Sequence, residues 1–266
     1  DMLPSLDIPL SCQQPCTYLT LRNLYYQQNP MFASRSRRCD DRIVSIHQPH
    51  VRPIIRGKQN KAVEFGAKLG VSLSGDGVAC VDHLSWDAYH EGHDLPGQVE
   101  AYRHRHGHYP EKVLADPLYG TRDNRKFLKE KGIEFGGKPL GRPPKMASAE
   151  SNISRRQRQQ DYRERIPIEG KFGQGKNGYD LNYIRASTAK TSEAWIRSIF
   201  LVMNLLVLFR FLLVRSSIHP IRCLATALMT IKWALSTAIS CLFFTSDAAD
   251  ESVRVILGSC GVTYTA

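Results

Sequence analysis

The segment 112–136, KVLADPLYGTRDNRKFLKEKGIEFG, decides the fold class. Lys112 to Ala115 reads as a brief, mostly apolar strand that runs directly into Asp116. Arg122 to Lys131 reads as a charged helix ended by Gly132, and Ile133 to Gly136 as a further short strand. Strand, helix and strand joined by a few residues each make an α/β unit.

Upstream, Leu95 to His106 (LPGQVEAYRHRH) carries a proline near its front and predicts a helix. Ala62 to Ser72 and Asp76 to Asp82 predict an antiparallel pair joined through Leu73-Ser74-Gly75, with Gly75-Asp76-Gly77 as turn chemistry. RIVSIHQ (42–48) and VRPII (51–55) are rich in β-branched residues and predict short strands, the second closed by Arg56-Gly57-Lys58 as a basic turn. Pro53 confines that strand to a sheet edge. Residues 1–41 hold no sustained period apart from a short run around Tyr18 to Tyr26.

Downstream, the prolines of KPLGRPPK (138–145) exclude regular structure and suggest a rigid basic linker. Ser151 to Lys176 is highly charged and predicts a helix interrupted at Pro167. Ser198 to Phe209 is apolar and stops at Arg210; Cys223 to Phe244 is apolar with Lys232 at its middle. A membrane span needs about 20 uninterrupted apolar residues, and a central Arg or Lys costs roughly 2.5–3.5 kcal/mol. The first stretch is therefore read as a buried helix, while the second stays open between tail helix and membrane association. The expected layout is a poorly defined segment 1–41, an incomplete catalytic-type domain 42–214, and an apolar tail 215–266.

The whole chain has 266 residues and a formal charge of +11. Such an excess favours a polyanionic partner, because each phosphate neutralised by Lys or Arg releases condensed counterions. The seven cysteines are odd in number and include no CxxC pair, which suits reduced thiols in a cytosolic protein rather than a zinc site or a disulfide frame. His104, His106 and His108 alternate as in a strand or turn, and with no partner at zinc spacing they read as surface histidines. Trp86 and Trp195 read as core anchors, and no serine stands in a triad context.

The strongest chemical signal is DYRERIPIEGKFGQGK (161–176). Tyr162, Arg165, Glu169 and Lys176 fall at offsets 0, 3, 7 and 14, which on a continuous helix project within a narrow sector. One carboxylate flanked by two cations and a phenol suits a group that holds a metal against a phosphodiester while its neighbours grip adjacent phosphates. The same pattern also suits an exposed helix laced by i,i+4 pairs.

The spacing Tyr-x2-Arg-x3-Glu-x6-Lys resembles the signature around the third acidic residue of a large group of bacterial insertion-sequence transposases of the DDE type. VLADPLYGTRDNRKFLKEKGI resembles their second-aspartate segment, and VEFGAKLGVSLSGDGVACVDHLSWDAYHEGHDL, LGRPPK and IEGKFGQGK resemble further pieces of one subgroup. The resemblance spans roughly residues 40–210. It implies a ribonuclease-H-like α/β fold, a mixed sheet flanked by helices, here with its opening strand missing and an apolar helical tail added. It implies Asp116 and Glu169 as catalytic, metal-binding carboxylates with Mg2+ or Mn2+. It further implies Tyr162, Arg165 and Lys176 as contacts to the phosphates of double-stranded DNA, at the transposon ends and the target. A homodimer assembled on DNA, no membrane partner, and a cytoplasmic, nucleoid-associated location follow from it.

The departure is the first aspartate, which in that group lies on an opening strand upstream of VSIHQPHVRPIIRGK. Asp40 and Asp41 read as turn residues, Asp76 and Asp82 as flanks of a hairpin strand, and Asp94 as a helix N-cap. None matches the place of the first carboxylate, so the chain is expected to be an N-terminally truncated copy. Three readings stay open at this stage, one of them a membrane-associated protein, which rests on the apolar tail alone. Another is metal-dependent strand cleavage and transfer at terminal repeats, impaired by the lost aspartate; the third is a DNA-binding remnant without catalysis.

Overall fold

The computed structural model describes residues 14–58, 61–138, 140–141, 149–215 and 258–265. Its elements are α1 (Gln14–Ala33), β1 (Pro53–Lys58), β2 (Lys61–Phe65), β3 (Lys68–Leu73), β4 (Ala79–Ser85), α2 (Leu95–His106), β5 (Lys112–Leu114), α3 (Arg122–Glu130), β6 (Glu134–Gly136), α4 (Ala149–Gly178), α5 (Ala189–Arg215) and β7 (Gly258–Thr265). Single 3-10 turns, Glu91–Asp94 and Pro117–Tyr119, precede α2 and α3.

β1 and β2 pair antiparallel as a sheet of their own, with Pro53, which has no N–H to donate, at the first position of β1. The other five strands form a mixed sheet in the order β4-β3-β7-β5-β6. β3 and β4 are antiparallel, β5 and β6 parallel. β7 lies between the two pairs, parallel to β3 and antiparallel to β5.

Alternation along the strands sends side chains to two helical layers. Leu69, Val71 and Leu73 of β3 share a core with Ile168 and Phe172 of α4 and Ile196, Ile199 and Met203 of α5. Val113 of β5 and Ala115 just beyond it turn to the opposite face and join Leu95 and Val99 of α2, Leu128 of α3, and Tyr119. Lys112 and Leu114 face α4: a Cβ at Gly136 would meet Leu114, Lys112 and Asp161 together.

The central α/β unit stands as expected, with α2 ended by Gly107 at φ 80° and α3 followed by Gly132 at φ 73°. Thr121 caps α3, its side chain accepting from the Asn124 amide. Trp195 is buried and Trp86 packs against the same core while donating to Glu193 at 3.2 Å.

Several expectations are corrected. The stretch 62–72 is two strands, broken at Gly66 (φ 138°), so β2 joins β1 and only β3 pairs with β4. Residues 42–48 form no strand; the buried Gln48 amide instead donates to the Ile184 and Ala186 carbonyls at 2.7 and 2.8 Å. Residues 14–33 form α1, whose side chains are largely exposed, so no burial periodicity marks it in the sequence. Pro167 sits inside α4 without ending it. His104 and His106 occupy the last turn of α2, where His106 stacks on Tyr102.

α5 is buried on one side only. Ile196, Ile199, Phe200 and Met203 are enclosed, whereas Leu201, Leu205, Leu208, Phe211 and Leu212 are exposed. Residues Ala189–Leu212 are long and apolar enough to cross a membrane, and 33% of that window is buried in the fold. Most of the linker 138–145 and the whole apolar stretch 223–244 lie outside the described residues.

Candidate active site

Asp116 follows β5 by two residues and keeps an extended backbone (φ −62°, ψ 151°). It thus lies just beyond Leu114, the last strand residue, whose side chain faces α4. Its carboxylate is half-buried and does not cap the 3-10 turn that it precedes. The backbone does that work: the Tyr119 N–H donates to the Asp116 carbonyl at 2.9 Å.

α4 lies over this face. Its buried stripe runs through Asp161, Ile168, Phe172 and Gly175. Asp161 accepts a 2.6 Å hydrogen bond from Lys112, both side chains being nearly enclosed, and so ties the helix to the strand that ends at Asp116. Burial pulls the Lys112 amine down, but the hydrogen bond and charge of Asp161, with Glu134 beside them, outweigh it and leave the pKa raised.

About one residue's rotation from that stripe, the predicted residues come together. The Arg165 guanidinium pairs with Glu169 at 2.9 Å and stands 5.6 Å from the centre of the Tyr162 ring. Tyr162 is 60% exposed. Lys176, two helical turns beyond Glu169, is half-buried. Arg155, Arg156, Arg158 and Arg163 are exposed on the same helix, which gives its outer side a strongly cationic character.

The spare acids are accounted for otherwise. Asp94 is at the N-cap position of α2 but makes no side-chain cap; its carboxylate meets His83 at 2.8 Å, which corrects the capping role. Asp82 lies within β4, not at its flank, and is held by Arg105 at 2.6 Å. Burial pushes the Asp82 carboxyl up, while hydrogen bonds from Ser72 and Arg105 draw it back down.

Residues 113–206 match a family model described as "Transposase DDE domain". That stretch is similar to the catalytic domain of DDE-type transposases. It opens on β5, closes within α5, and contains Asp116, Tyr162, Arg165, Glu169 and Lys176. No curated protein matches the chain, and no solved structure does.

Asp116 and Glu169 carry carboxylates on two separate elements, and such oxygen donors are the kind that hard divalent cations take. Among the described residues, no group of three His, Cys, Asp or Glu side chains is placed to hold a metal ion. The sequence reading missed Asp161, whose partner Lys112 is 49 residues away. It also missed β7, since GSCGVTYT has neither strict alternation nor an apolar run.

Proposed function

We propose that the chain carries a transposase domain acting on double-stranded DNA, in which Asp116 and Glu169 hold a divalent cation and α4 grips the DNA backbone. The observation that carries this reading is the arrangement of α4. Its inner side is fixed to the strand leading to Asp116, and its outer side presents Tyr162, Arg165 and Glu169 as one contact chain.

In this account Arg165, Tyr162 and Lys176 hold phosphates of the transposon end, and the exposed arginines of α4 add sequence-independent affinity. Glu169, released from Arg165, would hold the cation, and Arg165 would turn to a phosphate. Asp116 and Glu169 would be the residues that hold magnesium, or manganese in its place, whose chemistry when bound is Lewis-acid activation of a phosphodiester displacement. The mixed five-stranded sheet between helical layers supports a ribonuclease-H-like assignment. Assembly as a dimer on paired DNA ends, in the bacterial cytoplasm, completes the reading.

In this account the two carboxylates hold the cation loosely, so the chain binds DNA but cuts it poorly. Gel-shift titration beside plasmid nicking separates grip from cleavage. DNA binding lost on replacing Arg165 and Lys176 supports the interface; binding unchanged by both replacements overturns it.

A further inference from the structure

The solvent-facing side of α5 changes character halfway along. Lys190 and Arg197 are exposed in its first half. Leu201, Leu205, Leu208 and Leu212 follow on that side at offsets of 0, 4, 7 and 11, the spacing of one continuous helical stripe. They are between 45% and 59% exposed, and Phe211 beside them is 62% exposed. Contiguous apolar surface of this kind marks a contact site.

A bilayer crossed by α5 is a poor occupant, because the opposite side of the helix is locked into the domain. Ile196, Ile199 and Met203 share a core with Leu69 and Val71 of β3. The Asn204 amide accepts from the Ala79 N–H at 2.9 Å and donates to the Ala79 carbonyl at 2.7 Å. A helix spanning a membrane would give up both.

The topology supplies another occupant. α5 runs antiparallel to β4: Trp86 donates to Glu193, Arg197 donates to the Val81 carbonyl, Asn204 holds Ala79, and a Cβ at Gly77 would meet Val207. The helix therefore leaves the sheet past the β3–β4 turn. β7 begins at the opposite end, where Gly258 pairs with Lys68 and Lys68 with Ser85, the level of Trp86 and Glu193. Residues 216–257, outside the described residues, thus carry the chain back along the length of α5. From Glu193 to Arg215 the helix rises about 33 Å. The apolar stretch Cys223 to Phe244, laid out as a helix, would cover about the same distance.

We propose that the leucine stripe of α5 is the docking surface for the chain's own residues 223–244, which lie antiparallel along it. The apolar tail then closes the outer side of the domain instead of entering a membrane, and it delivers the chain to the sheet centre where β7 enters. This stands apart from the reading of Asp116 and Glu169.

The test places the photo-crosslinker p-benzoylphenylalanine in turn at positions 201, 208 and 212 of the full chain and maps the linked peptides by mass spectrometry. An equal mixture of isotope-labelled and unlabelled chains separates links within a chain from links between copies. All three positions are exposed, so the fold is not at stake. The expected links join each probe to residues 223–244 of the same chain, shifting from the Cys223 end toward the Phe244 end as the probe moves from 212 to 201. The same probe at the exposed position of Lys126 on α3 should capture none of that stretch. Links chiefly between copies, the reverse order, or no link to 223–244 from any of the three positions overturns the proposal. So does flotation of the unaltered chain with neutral phosphatidylcholine vesicles that is lost in Leu205→Ser with Leu208→Ser, since the stripe would then be open to lipid.

Discussion

Arg165 and Glu169 form a 2.9 Å ion pair across one turn of α4, in which Arg165 is the more enclosed partner and Glu169 is half exposed. An exposed i,i+4 pair contributes only about 0.3–0.5 kcal/mol, so the pair can be exchanged for other partners at little cost. That is the property required of a carboxylate which takes a cation and an arginine which takes a phosphate.

Replacing Arg165 with alanine should therefore leave folding nearly unchanged and weaken DNA binding. The dependence of log affinity on log salt should become shallower by about 0.9, the value for one lost contact to a duplex phosphate. Gel-shift titrations at several salt concentrations measure it. An unchanged slope shows that Arg165 does not contact DNA.

The Lys112–Asp161 pair should behave in the opposite way, because both groups are nearly enclosed. Asp161→Ala leaves a buried ammonium without its main partner, and should lower unfolding free energy by about 3–5 kcal/mol. Lys112→Met with Asp161→Leu should recover most of it. The Lys112 pKa is raised above 10.5 in the folded state, so its contribution is complete below 10.5 and fades as pH climbs through the raised value. Urea midpoints in alkaline buffers should fall more steeply for the unaltered chain than for the double variant.

His50 gives the acid-side counterpart. Its ring meets the edge of Trp86 at 4.3 Å, and neither ring nitrogen has a hydrogen-bond partner among the described residues. Burial, aided by Arg52 and opposed by Glu193, lowers its pKa from 6.5 to about 4. The unfolded chain thus binds a proton more readily between these values, and stability is lost as pH falls from 6.5 toward 4. The urea midpoint of His50→Phe should decline less over that interval than that of the unaltered chain. Parallel declines contradict the burial assigned to His50.

What could be read in the sequence follows from how local each signal is. The β5–α3–β6 unit was legible because Asp116, Thr121 and Gly132 punctuate it within 17 residues. The Tyr162–Arg165–Glu169 cluster was legible because helical periodicity alone brings those residues together. The fate of residues 62–72 was not, because a single left-handed-region glycine, Gly66, divides an otherwise continuous β-like run between two sheets. Gln48 and Asp161 carry no local mark either: their partners lie 136 to 138 and 49 residues away. β7 is the extreme case, a polar, glycine-containing segment recruited to the sheet centre by strands more than 140 residues before it.

Incubating the purified chain with supercoiled plasmid and Mg2+, beside Asp116→Ala and Glu169→Ala, tests the central claim most directly. The account predicts that the plasmid is bound and retarded by all three proteins and stays supercoiled in each. Nicking by the unaltered chain that disappears in both variants would contradict the impaired-cleavage part of the account, because Asp116 and Glu169 would then belong to a working metal site.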